Sequence, residues 1–148
     1  MPKSTRNVIL PAVDVARLFF AAFKDRDVNR MLAECRDDAQ IRYVPMGNQG
    51  TGEVREVGKN IWSSLFDAFP DLTVTVPTLF GDDHNVAAEA VLEGTQRKDF
   101  LGIPSQGKRF QLPHAFIFQI DDLGLIASIA AYWDNASFYS QLGKTTLG

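Results

Sequence analysis

Apolar residues in the first half of the chain recur with the spacing of an α-helix. Between Val13 and Phe23 they form one broad stripe, and Asp14 lies early in it, where a carboxylate stabilises a helix N-terminus. Asp27 is a suitable N-cap for a second, short helix, and Pro70 ends a third. The pattern therefore predicts, in order, helix 13–23, helix 28–34, a short strand 40–44, a loop 45–52 and helix 53–69.

The second half alternates between apolar and polar residues with a period of two, which is typical of strands that face a core on one side. Helices first and hairpin-linked strands afterwards indicate an α+β fold, with helices packed on one face of a curved antiparallel sheet. Because there is no linker or repeat, we expect one domain over residues 1–148. The predicted elements are strands 72–80, 86–96, 108–121 and 125–134, a long loop 97–107 and a last short helix 135–141.

The alternation also assigns side chains to faces of the sheet. His114 is the only polar residue on the more apolar face of strand 108–121, beside Phe116 and Phe118. Tyr132 and Asp134 share one face of strand 125–134, and a hairpin sets the two faces side by side. We therefore expect an imidazole and a carboxylate on one concave apolar surface.

Such a surface suits acid–base chemistry at carbon. Burial raises the pKa of an Asp and lowers that of a His, so both move toward neutrality, as a proton shuttle requires. Asp134 and His114 are the candidate catalytic residues. Simpler interpretations stay open: Asp134 also precedes a helix and can be its N-cap, His114 can be a hydrogen-bonded core residue, and the phenylalanines can be core rather than ligand wall.

Composition excludes several classes of protein. The 148 residues include 18 acidic and 15 basic side chains, for a net charge of −3, which argues against a nucleic-acid or anionic-membrane partner. One cysteine, Cys35, and two histidines give no basis for a disulfide or a metal site. No nucleotide fingerprint and no membrane-length apolar run occur, so we expect a cytoplasmic protein. Eleven phenylalanines predict a core or pocket with aromatic walls.

Three segments resemble the SnoaL-like polyketide cyclases. They are FDAFPDL at 66–72, GTQRKDFLGIPSQGK at 94–108 and GLIASIAAYWDNASFYSQLG at 124–143, similar to the family's "F…FPD", "GTHxGxFxGxPPTGK" and "GKIxExWxxxDxxxxxxQLG". The resemblance implies an NTF2-like cone fold around a deep pocket, and a homodimer. It also implies ring closure by intramolecular aldol condensation of a small apolar or aromatic carbonyl compound, without metal or cofactor.

The resemblance assigns roles residue by residue. The family's acid/base aspartate matches Asp134, but its "GTH" histidine falls on Gln96, which can hydrogen-bond a carbonyl and cannot titrate. His114 would then supply the missing imidazole. Asp134 would remove the proton next to the carbonyl, and His114, Gln96 and Tyr43 or Tyr132 would hold the enolate oxygen. By strand parity, Phe116 and Phe118 would wall the pocket. The family's Glu and Trp in "ExW" fall on the smaller Ser128 and Ala130, which implies a wider pocket.

Two alternatives were weighed against a cyclase. Ketosteroid isomerases share the fold, but their base falls on Tyr43 of segment 37–47 and their oxyanion tyrosine on Phe19, so both catalytic groups are absent and isomerisation ranks lower. A non-catalytic binding module or accessory dimer is the second alternative. The position of Asp134 distinguishes the two: in an enzyme its carboxylate should lie in the pocket, and in a binding module it should only cap the last helix. A second subunit would cover an outer sheet face predicted to expose Ile117, Ile129 and Trp133.

Overall fold

The computed structural model describes residues 8–144, which form four α-helices and one six-stranded sheet. A 3-10 segment (Val44–Gly50) and a single π-helical turn (Val54–Gly58) lie between the first strand and the third helix. The elements are α1 (Ala12–Lys24), α2 (Val28–Ala33), β1 (Cys35–Tyr43), β2 (Thr51–Glu53), α3 (Lys59–Ala68), β3 (Thr73–Gly81), β4 (Asn85–Thr95), β5 (Arg109–Ile120), β6 (Ile126–Trp133) and α4 (Asn135–Leu142).

The first two helices form where the pattern predicts them. Helix α1 buries one face that includes Phe19 and Phe23, with Asp14 in its first turn. The Asp27 side chain accepts a hydrogen bond from the Arg30 amide at 3.1 Å and caps α2, as predicted.

The third helix is shorter than predicted. The pattern placed its start near Glu53, but Glu53 pairs with Gln40 in the sheet and α3 begins at Lys59. The backbone before Lys59 is used first for the β2 strand and then for the π turn. Pairing with β1 therefore overrides the helical spacing of the apolar residues in this stretch.

The sheet is curved and unclosed, with strand order β2-β1-β6-β5-β4-β3. The α+β prediction is confirmed. Every neighbouring pair is antiparallel except β1 and β6, which run parallel. The parallel pair is possible because the whole chain between β1 and β6 separates the two strands, so no hairpin has to join them.

The inward face of β5 matches the prediction, but that of β6 does not. Gln119 pairs with Ser128 while Ile120 pairs with Ile126, so Ala127 is an extra residue in a β-bulge. A one-residue insertion moves every later side chain to the opposite face. The prediction that Ser128, Ala130, Tyr132 and Asp134 share the face of His114 is therefore wrong, and so is the prediction that Ile129 and Trp133 lie outside.

Aromatic rings pack between α1 and the inner face of the sheet. Phe118 is fully buried, with Phe19 at 5.4 Å and Phe20 at 5.5 Å between ring centroids, both edge-to-face. Such pairs each add about 0.5–1.5 kcal/mol beyond the area they bury. Within residues 8–144, no helix is long and apolar enough to cross a membrane.

Candidate functional site

A cavity lies between the inner face of the sheet and helices α1 and α3, and the start of α4 and the covering loop (residues 96–108) border it. Its volume is about 150 Å³ of space open to water-sized molecules, about the size of a cavity that holds benzene. No Asp, Glu, Lys or Arg of the described chain lines it. Its polar lining residues are Tyr43, Gln49, His114, Trp133, Asn135 and Tyr139, and aromatic and aliphatic side chains form the rest.

His114 is the one titratable base in the described cavity wall. Its Nδ1 lies 3.0 Å from the Leu112 carbonyl oxygen. Because a carbonyl can only accept, Nδ1 carries the hydrogen and Nε2 keeps its lone pair. Burial lowers the pKa of His114 to about 4, against the hydrogen bond to Leu112, which favours the charged ring. At neutral pH the ring is therefore neutral, with Nε2 as an acceptor.

Aromatic packing holds the His114 ring in place. Its centroid lies 5.8 Å from that of Phe116 in a stacked arrangement and 5.0 Å from that of Trp133. His114 and Trp133 pair directly across β5 and β6, so their side chains share the inner face. Phe116, predicted to contact the ligand, lines the cavity as well.

Tyr43 also lines the cavity, as predicted, and is 5% exposed. Its hydroxyl oxygen accepts a hydrogen bond from Trp62 Nε1 at 2.8 Å. Burial raises the pKa of Tyr43 well above its ordinary value, against the Trp62 hydrogen bond, which lowers it. The phenol therefore remains a donor at any physiological pH. Its ring lies 5.6 Å from Trp133 and 6.3 Å from Phe116, the two rings that also flank His114.

A second donor comes from α4. Trp133 Nε1 donates to Asn135 Oδ1 at 3.2 Å, which sets the orientation of that amide and leaves its NH₂ group unused by this bond. Asn135 lines the cavity beside Tyr139. These three residues were not predicted as site residues. Simple alternation places Trp133 on the outer face, because it does not include the bulge in β6. Nothing in the pattern separates Asn135 from other polar helix residues.

Asp134 lies outside the cavity. Its side chain is exposed, and Oδ1 accepts a hydrogen bond from the Ser137 amide at 3.0 Å, which makes Asp134 the N-cap of α4. This is the simpler of the two interpretations left open by the sequence. The structure therefore does not bring Asp134 and His114 together on one apolar surface, because β6 ends at Trp133 and its parity is shifted by the bulge.

Gln96 is fully buried beneath the covering loop and is not part of the cavity lining. Its Nε2 donates to the Ile103 carbonyl at 2.8 Å, while its Oε1 has no hydrogen-bond partner among the described residues. The hydrogen bond holds the Phe100–Ile103 bridge, which places Phe100 and Leu101 over the cavity. Gln96 thus affects the shape of the cavity indirectly, by holding the loop that contributes Phe100 and Leu101 to its wall.

Two further predicted ligand contacts lie elsewhere. Phe118 belongs to the core, packed under α1, and does not line the cavity. Tyr132 is 40% exposed on the outer face of the sheet, where its hydroxyl accepts a hydrogen bond from Arg42 at 3.1 Å. Among residues 8–144, no group of three or more His, Cys, Asp or Glu side chains could hold a metal ion.

Residues of the recognised motifs tie helices to the sheet. Asp71, in the "FPD" junction, accepts a hydrogen bond from the Thr95 amide at 2.7 Å and lies 3.6 Å from Arg109. Partial burial acts to raise the pKa of Asp71, but these two partners outweigh it and lower the pKa. In the closing motif, the Gln141 side chain binds the backbone of Gln111. Its Nε2 donates to the Gln111 carbonyl oxygen at 3.1 Å, and its Oε1 accepts from the Gln111 backbone N–H at 2.8 Å. Each contact ties a helix or a helix–strand junction to the sheet.

Comparison with known proteins gives a family and a fold. A family model described as SnoaL-like polyketide cyclase matches residues 13–142, whereas comparison with curated proteins gives no significant match. IdmH from Streptomyces antibioticus, provisionally described as a polyketide cyclase, is 27% identical with a TM-score of 0.75, covering 89% of this chain and 98% of IdmH.

Two more distant structures share the fold. AclR from Streptomyces galilaeus, provisionally described as a hydroxylase, is 17% identical with a TM-score of 0.77, covering 91% of this chain and 97% of AclR. An NTF2-like protein from Burkholderia thailandensis E264 is 17% identical with a TM-score of 0.75, covering 90% and 98%. The fold is NTF2-like, as predicted. Since the family model spans most of its length, the chain belongs to the SnoaL-like polyketide cyclase family.

Proposed function

We propose that the cavity binds a small aromatic carbonyl compound and that His114 removes a proton from the carbon next to the carbonyl. The observation that carries this proposal is the pairing of one acceptor and one donor in a largely apolar wall that holds no charged side chain of the described chain. Neutral His114 offers the lone pair of Nε2, and Tyr43 offers its hydroxyl hydrogen. A cavity of about 150 Å³ is the size of one that holds benzene, so we place in it the ring next to the carbonyl rather than a whole fused-ring compound.

The reaction that fits is an intramolecular aldol ring closure. His114 Nε2 takes the proton, and the electron pair of the C–H bond forms an enolate whose oxygen accepts a hydrogen bond from Tyr43. The enolate carbon then attacks a second carbonyl of the same molecule and forms a carbon–carbon bond. The imidazolium returns its proton to the new alkoxide, so no net oxidation or reduction occurs.

His114 is a weak base, with a pKa of about 4. A base of this strength suffices for carbon acids when pre-placed donors stabilise the enolate in a site that excludes water. Tyr43 is the candidate donor to the enolate oxygen. The weak base favours substrates whose proton is flanked by two carbonyls, because such protons are the most acidic.

The proposal is tested by deuterium exchange into 2-tetralone, a bicyclic ketone with acidic protons next to its carbonyl. In D₂O we expect the protein to accelerate loss of these proton signals in the NMR spectrum. Replacing the base, His114→Gln, should slow the exchange by about 100-fold or more. Gln keeps a hydrogen-bond donor for the Leu112 carbonyl, so the strand should remain intact.

Asp134→Asn is the matched comparison, because resemblance to the family makes Asp134 the competing base. Asn is as good an N-cap as Asp, so α4 should remain folded. We expect exchange within about twofold of the unchanged protein. Loss of exchange in Asp134→Asn with retention in His114→Gln would assign the base to Asp134 and refute the role of His114.

A non-catalytic binding module is the second candidate function. The observation that favours it is the exposed position of Asp134, since no carboxylate of residues 8–144 then lines the cavity. Under this alternative the protein binds 2-tetralone, but the exchange rate equals that of buffer.

We also propose that a second copy of the chain covers the outer face of the sheet. Ile117 and Tyr132 are 41% and 40% exposed there, and Ala115 and Ala130 lie opposite them in the β5–β6 ladder. An apolar patch on a sheet face can meet its own copy across a two-fold axis.

A further inference from the structure

We propose that Trp62 is a positioning residue for Tyr43. Its indole N–H occupies one side of the Tyr43 hydroxyl and so presents the hydroxyl hydrogen to a carbonyl oxygen of the ligand. The inference rests on the proposed function, because it concerns how the same cavity holds its ligand.

The direction of the hydroxyl follows from donor and acceptor chemistry. Indole Nε1 can only donate, so in the 2.8 Å contact Trp62 is the donor and the Tyr43 oxygen the acceptor. A phenolic O–H lies close to the plane of its ring, because the oxygen is conjugated with the ring, and this leaves two orientations. The hydrogen from Trp62 occupies one side, so the hydrogen of Tyr43 points to the other.

Nothing in the described chain accepts that hydrogen. Within residues 8–144 the Tyr43 hydroxyl makes the single hydrogen bond to Trp62. Tyr43 is nevertheless buried, and buried tyrosine hydroxyls usually have a partner for their hydrogen. Tyr43 lines the cavity, and a ligand bound there would supply the acceptor for this hydrogen.

Both rings are held rigidly. Trp62 is fully buried, and its ring packs edge-on against Phe19 at 5.5 Å. Gly58 makes space for the indole, since a Cβ there would lie 3.3 Å from Trp62 Cη2. Trp133 and Phe116 fix the Tyr43 ring from the other side. The donor direction is therefore set before a ligand arrives, which is the arrangement that stabilises a developing oxyanion best.

A matched pair of ligands tests the inference by binding alone. 2-Tetralone and 1,2-dihydronaphthalene share a bicyclic carbon skeleton, but only the first has an acceptor oxygen. By NMR titration, we expect the protein to bind the ketone about fivefold more tightly than the hydrocarbon. Tyr43→Phe should bring the ratio of the two affinities to about one, and Trp62→Phe should lower it to about two.

Two controls separate positioning from packing. Leu65→Val alters a lining residue that makes no polar contact, so it should weaken both ligands equally and preserve the ratio. Replacement of Trp62 by β-(3-benzothienyl)alanine keeps the bicyclic shape and removes only the N–H. The benzothienyl variant should lower the ratio as Trp62→Phe does. It therefore tests the N–H even if Trp62→Phe, with its smaller ring, folds poorly.

The exchange assay supplies a double-mutant cycle. If Trp62 acts through Tyr43, Trp62→Phe should slow 2-tetralone exchange about fivefold in the unchanged protein and less than about twofold in the Tyr43→Phe background. Equal slowing in both backgrounds would show that Trp62 acts only through packing, and would overturn the inference.

Failure of this inference is distinguishable from failure of the proposed function. Equal affinity of the unchanged protein for the two compounds would overturn the role of the Tyr43–Trp62 pair, while exchange could still establish His114 as a base. A ketone preference that depends on Trp62, without any exchange, would support the inference and make the cavity a binding site.

Discussion

His114 couples the cavity to the stability of the protein. Its pKa is about 4 in the folded chain, against an ordinary value of 6.5. Between these two pH values the unfolded chain binds a proton that the folded chain does not. The depressed pKa therefore destabilises the folded state as the pH falls below about 6.5, and the loss is complete once the pH drops below about 4.

This linkage predicts a pH effect on unfolding. Between about pH 7 and about pH 4.5, the contribution of His114 should lower the free energy of unfolding by about 2–3 kcal/mol. Urea denaturation at both pH values measures it, with His114→Gln as the reference for all other titrating groups. An identical pH dependence in the two proteins would show that His114 is not held neutral by burial.

At the scale of elements, α4 closes the cavity because its side chains tie it to the sheet. Phe138 packs on Phe110 at 5.1 Å, and the Gln141 amide makes both hydrogen bonds to the Gln111 backbone where β6 has already ended. The Gln141 side chain thus continues the pairing of β5 beyond the last residue of its neighbour. Asp134 caps the other end of the same helix.

Removing the Gln141 amide should loosen this closure. We expect Gln141→Ala to lower the free energy of unfolding by about 1 kcal/mol and to speed hydrogen exchange of the α4 amides. Ser140→Ala is the matched control, since Ser140 is exposed on the same helix and gains similar helix propensity. Equal exchange rates in the two variants would show that the Gln141 side chain does not hold α4 to the sheet.

At the scale of the whole molecule, the outer face of the sheet is the surface to test for self-association. If a second copy covers it, the protein should have twice the chain mass of 16.4 kDa in light scattering, and Ile117→Lys should reduce it to a single chain. Leu123→Lys is the control, because Leu123 is 66% exposed in the turn between β5 and β6. A monomeric unchanged protein, or an Ile117→Lys dimer, would refute the proposed interface.

The spacing of apolar and polar residues along the chain predicted much of this architecture. The four α-helices, every strand except β2, the Asp27 cap, the inward face of β5 and the aromatic surroundings of His114 could be predicted. Each depends on residues a few positions apart, where the pitch of a helix or the alternation of a strand decides which side chains share a face.

The sequence by itself therefore determined every helix and strand except β2, the family resemblance and two of the cavity's polar residues, Tyr43 and His114. Only the tertiary structure decided that one bulge turns Trp133 inward and Tyr132 outward, and that Asp134 caps a helix in solvent. It alone brought Trp62 to Tyr43, 19 positions away. Strand register and contacts between helix and sheet depend on packing between distant segments, and periodicity along the chain contains no record of that packing.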